Sequence, residues 1–71
     1  MGIIGLTSKP DLKGKIMAKV HFTHPLTGRD TTKSAVRPNL VEAIIARNEI
    51  AATLLRSGLI NLDVFKRYTS I

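Results

Sequence analysis

Between residues 15 and 22 the chain alternates. Ile16, Ala18, Val20 and Phe22 are apolar, and Lys15, Met17, Lys19 and His21 stand between them. A period of two belongs to a strand with one dry face. The next stretch, THPLTGRD, holds Pro25 and Gly28 and reads as a turn, and Thr31 to Val36 has the β-branched content of a strand coming back. Residues 16–37 are therefore expected to form a hairpin with a loop longer than two residues. Ile3 to Leu6 can add a third strand, joined through SKPDLKG.

After Pro38 the period changes. Asn39 can cap the first free amides of a helix, and Glu42, three residues on, completes a capping-box pattern. Leu40, Val41, Ile44, Ile45, Ala51, Ala52, Leu55 and Leu59 recur at spacings of three and four, which predicts one broad apolar face on a helix over 39–57. Gly58 can end that helix in a left-handed turn, and Asn61 can cap a short second helix over 61–69 that includes Phe65 and Tyr68.

These elements make one small α+β domain over residues 1–71: an antiparallel β-hairpin or three-stranded meander packed on one long amphipathic helix, with a short C-terminal helix. Residues 1–15 read as a loosely ordered N-terminal extension. The LKGK before Ile16 and Met17 would be encoded by purine-rich codons resembling a bacterial ribosome-binding site, which makes Met17 an alternative start.

A chain of 71 residues sits where apolar burial and lost conformational entropy nearly cancel, so further stabilisation is expected. With no cysteine, disulfides and thiolate metal sites cannot supply it, and self-association is the remaining route. Asn48 lies on the apolar stripe, where an unpaired amide is costly. Taking Val41, Asn48 and Leu55 as one row and Ile44, Ala51 and Gly58 as the other gives a seam with a single central asparagine, a device that can set the register of a helix pair. The alternative is an asparagine at the edge of the stripe, touching water. On the first reading the chain is a homodimer through Val41, Ile44, Asn48, Ala51 and Leu55.

Charge changes the picture of the first half. The net charge is +6, and residues 1–37 carry seven basic side chains against two acidic ones, whereas residues 38–71 carry four against three. If Val20 and Phe22 face the core, Lys15, Lys19 and His21 share the outer face, and Lys33 and Arg37 are expected to join them from the returning strand. With Arg29 at the turn, a basic ribbon results. Such a ribbon suits a phosphate backbone, where cations displace condensed counterions. Lysines on an exposed sheet also serve simply to discourage aggregation.

Other chemistry finds little support. TGRDTTKSAVRP has the glycine, lysine and serine of a phosphate-binding loop, but the second glycine is missing, the spacing is one residue short, and the segment enters a strand instead of a helix. A helix-turn-helix around Gly58 would begin its second helix with Leu62 and Asp63, and an acid there opposes DNA. His21 and His24 have no cluster of acids or thiols beside them, so no metal is expected. Ser34, Asp30 and His24 are near only in sequence, so no enzyme and no cofactor is expected. The N-terminus lacks the order of a secretory signal and no apolar run could span a bilayer, which points to the cytoplasm.

The sequence thus leads to a small nucleic-acid-associated accessory or regulatory protein, binding DNA or RNA phosphates through Lys15, Lys19, Arg29, Lys33 and Arg37. The alternative is a small protein–protein interaction module, a regulator or inhibitor acting through the long helix or a sheet edge.

Overall fold

The computed structural model describes residues 4–69. Its elements are β1 (Leu6–Thr7), a single 3₁₀ turn (Pro10–Leu12), β2 (Ile16–Thr23), β3 (Asp30–Arg37), α1 (Leu40–Arg56) and α2 (Leu62–Thr69). The strands form a three-stranded antiparallel sheet in the order β1-β2-β3, and both helices contribute to the core on one of its faces. The expected α+β architecture is therefore present. Of the expected third strand Ile3 to Leu6, Leu6 falls in β1, and Ile3 lies outside the described residues. No helix among the described residues is long and apolar enough to cross a membrane.

The helix ends follow local chemistry. The Asn39 side chain accepts from the Glu42 amide at 2.9 Å, and the Asn61 side chain accepts from the Val64 amide at 2.9 Å. At the end of α1, Gly58 takes φ +76°, and the Gly58 and Leu59 amides donate to the Leu55 and Leu54 carbonyls. This is a Schellman closure, and it turns the chain so that Ile60 enters the core.

The face on which α1 docks differs from the one its periodicity predicts. Ala43, Ala46, Arg47, Ala51 and Leu54 are buried, whereas Val41 is 66% exposed and Ile45 51%. Apolar residues occupy most of the helix circumference, so spacing alone does not single out one side. Packing does: Ala43, Ala46 and Ala51 let α1 approach the sheet closely, where Ala18, Val20 and Phe22 of β2 are buried. Leu55, with Leu59 and with Val64, Phe65 and Tyr68 of α2, closes the side of the core.

The largest fully buried side chain is Arg47. Its guanidinium donates to the Ile4 carbonyl at 2.8 Å and twice to the Asn48 side-chain oxygen, at 3.1 and 2.9 Å. Desolvation lowers its pKa from the ordinary value, but an arginine stays a cation at physiological pH. Asn48 therefore has a partner within its own chain, and the polar residue on the stripe is accounted for without a second helix.

The same arginine ties down the N-terminal segment. Gly5 sits at φ +79°, and a Cβ there would lie 2.7 Å from the Lys19 carbonyl oxygen and 2.9 Å from Arg47 Cδ. Only glycine lets the chain pass between β2 and Arg47. The Lys19 amide donates to the Gly5 carbonyl at 2.7 Å, and Leu6 and Thr7 pair with Ala18 and Met17. Gly5, Leu6 and Thr7 are thus tied to the sheet, and residues 8–15 lead through the 3₁₀ turn, mostly exposed, into β2.

Gly5→Ala is expected to destabilise the protein by at least about 2 kcal/mol, from left-handed backbone strain and the backbone clash together; a chemical denaturation midpoint within error of the parent would contradict it. Asn48→Leu should cost about 1–3 kcal/mol by leaving buried guanidinium donors unpaired. Adding Arg47→Met to that variant should recover part of the loss, a coupling that a double-mutant cycle reads directly.

Candidate functional site

The connection from β2 to β3 spans residues 24–29 and is closed by the His24 amide donating to the Arg29 carbonyl and the Gly28 amide to the His24 carbonyl, both at 2.8 Å. It sets the register: Val20 stands opposite Lys33, Ala18 opposite Ala35, and Ile16 opposite Arg37. Directly opposed residues of an antiparallel pair project from the same face. Val20 and Ala18 are buried under the helices, so Lys33, Ala35 and Arg37 also project toward the helix side.

The expected basic ribbon is corrected by this register. The outer face carries Lys19 opposite Ser34, His21 opposite Thr32, and Thr23 opposite Asp30, with the Thr23 hydroxyl donating to the Asp30 carboxylate at 3.1 Å. Lys33 and Arg37 are on the other face. Lys15 precedes β2 and Arg29 lies in the hairpin connection, both exposed. The five residues do not make one surface, because a shift of one residue in pairing exchanges the faces of a whole strand.

The expected helical seam is also divided. Ala51 is wholly buried against its own chain, Val41 is exposed, and Ile44, Asn48 and Leu55 are half-buried. Ala51 could meet a second chain only by opening the core.

What the register builds instead is a groove between β3 and α1. Lys33, Ser34, Ala35 and Arg37 form the β3 wall, and Ala46, Ile50 and Leu54 of the helix form an apolar floor and opposite wall. Glu49 and Thr53 stand on the helix rim. The open volume is about 380 Å³, enough for a row of alternate side chains from an extended segment. Sequence reasoning missed the helix half of this site, since nothing in the spacing of Ala46, Ile50 and Leu54 separates them from ordinary core positions.

The stretch of β2 beyond β1 and the outer side of β3 are treated differently. Beyond Ala18, the side of β2 that faces β1 has no strand beside it among the described residues. There the Tyr68 hydroxyl of α2 accepts from the His21 amide at 3.0 Å and donates to the His21 carbonyl at 3.2 Å, so a side chain occupies the backbone groups a strand would use. Along β3, eight residues long, no described element pairs with the outer edge. Tyr68 thus covers β2 at His21, past the end of β1, and β3 is the long unpaired edge, with the Val36 carbonyl on it accepting from the Arg37 guanidinium at 2.9 Å.

Among the described residues there is no group of His, Cys, Asp or Glu able to hold a metal ion. No family model matches the sequence, and no significant match is found among curated proteins or solved structures.

Tyr68→Phe should leave the His21 amide and carbonyl without their partner, lowering stability by about 1–2 kcal/mol and accelerating hydrogen exchange at His21. Unchanged exchange at that amide would show that the hydroxyl is not what protects the edge.

Proposed function

We propose that this protein is a small interaction module that takes an extended segment of a partner protein along β3, as an added strand, with alternate side chains of that segment entering the groove beside α1. The observation that carries this reading is the eight-residue edge of β3, unpaired among the described residues and directly beside an apolar groove, while Tyr68 caps the backbone of β2 at His21 past the end of β1. Strand addition draws affinity from main-chain hydrogen bonds and selectivity from pockets for every second side chain, and β3 with its groove offers both. Such a module regulates or inhibits by occupying a segment of a larger protein.

Binding to nucleic acid is the second reading. What favours it is the net charge of +6, with every lysine and arginine of the described residues except Arg47 exposed. Without a shared basic face, that binding would be dispersed, unselective and strongly weakened by salt.

Titration of the isotope-labelled protein with a library of short extended peptides should shift amide resonances along residues 30–37 and leave those of β1 unmoved. Thr53→Trp, on the exposed rim of α1, should weaken binding roughly tenfold by overhanging the groove, without unfolding the helix. Peptide shifts confined to other surfaces would overturn strand addition along β3, and tight salt-dependent binding of mixed-sequence DNA or RNA with no peptide binding would replace this reading with the second.

A further inference from the structure

The wall of the groove contributed by β3 is cationic. Lys33 and Arg37 both project to the helix side and stand four residues apart, about 13 Å along the strand. Ala35, half-buried, is midway between them. Arg37 donates to its own neighbour's carbonyl, Val36, at 2.9 Å, and among the described residues neither cation has a carboxylate partner.

An added strand would place its side chains in step with these three. The residue opposite Ala35 faces the shortest side chain of the wall and the apolar Ala46, Ile50 and Leu54, a space that suits a large aliphatic group. The residues two positions to either side stand opposite Lys33 and Arg37, where opposite charge is favourable and like charge unfavourable. Glu49 lines the helix rim and Glu42 stands near Arg37, so a carboxylate is favoured over the strand and disfavoured toward α1.

We propose that the segment recognised along β3 is acidic: an extended stretch of a partner protein with a large aliphatic residue at its centre and a carboxylate two residues away on each side. The proposal rests on the strand-addition reading above and specifies its ligand. The net charge of +6 adds long-range attraction for an acidic partner.

A second copy of this chain does not meet the requirement. In a two-fold antiparallel pairing of β3 with itself centred on Lys33, that lysine opposes its own copy; centred on Ser34, the two lysines stand diagonally adjacent. The one acid of β3, Asp30, projects from the other face, where Thr23 bonds it. Two copies would also bring together chains of charge +6.

The test titrates the labelled full chain with short peptides that share a central leucine and differ only in the residues two positions away on each side, which are aspartate, asparagine or lysine. The aspartate peptide is expected to bind at least about tenfold more tightly than the lysine peptide, with asparagine between, and to lose that advantage as salt is added. Lys33→Glu combined with Arg37→Glu, both at exposed positions, should reverse the order. If that pair fails to give a folded amide spectrum, Lys33→Gln with Arg37→Gln should level it. Equal affinities for all three peptides, with shifts along β3, would overturn the acidic ligand and leave strand addition standing. Shifts along β3 from none of them would overturn both.

Discussion

The pairing of Val20 with Lys33 across β2 and β3 is the constraint on which the site depends. A six-residue connection closed by two 2.8 Å backbone hydrogen bonds sets that pairing. A register displaced by one residue would turn Lys33, Ala35 and Arg37 outward and carry Ser34 and Val36 under the helix. The groove beside α1 would then have a different wall, and the cations of β3 would join Lys19 on the open face. The charge of this chain is a matter of composition; its distribution is a matter of the parity of one turn.

A second fixed point is the buried guanidinium of Arg47. It has no carboxylate at hand among the described residues, and its hydrogen bonds go to a backbone carbonyl at Ile4 and to the amide oxygen of Asn48. A charge out of water is tolerated only when its donors are met, so the arginine requires the N-terminal segment to lie across it. Gly5 makes that crossing possible, β1 continues it into the sheet, and Tyr68 closes the β2 edge just beyond. The N-terminal cover, the long helix and the short helix thus meet at one place, on the side of the sheet opposite β3.

That asymmetry gives the functional reading its direction. The polar and tight contacts gather at the β1 side, where the backbone of β2 is satisfied by a tyrosine hydroxyl. The β3 side keeps an open strand, a shallow apolar floor and two cations with no acidic partner. An exposed edge is a hazard for aggregation, and lysine and arginine on it are a familiar safeguard. The same cations become a selectivity device when the arriving strand is acidic, so protection from the wrong partner and recognition of the right one rest on the same side chains.

The sequence by itself determined β2, β3 and the two helices, how those helices are capped, and which class of fold they build, whereas β1 was legible only at Leu6. Those properties are local: alternation in β2, the caps at Asn39 and Asn61, the left-handed turn at Gly58. It also determined that the chain is cationic and that the first half holds most of the excess. Only the tertiary structure decided which faces those residues present. Alternation shows that β2 has a dry side but cannot say which residues of β3 share it, because that depends on pairing across the turn. Periodicity shows that α1 is apolar but not which arc docks, because aliphatic residues occupy most of its circumference and the alanines win by permitting close approach. Arg47 was invisible for a related reason: a buried arginine is possible only where carbonyls from distant segments converge, and that convergence exists only once the chain has folded.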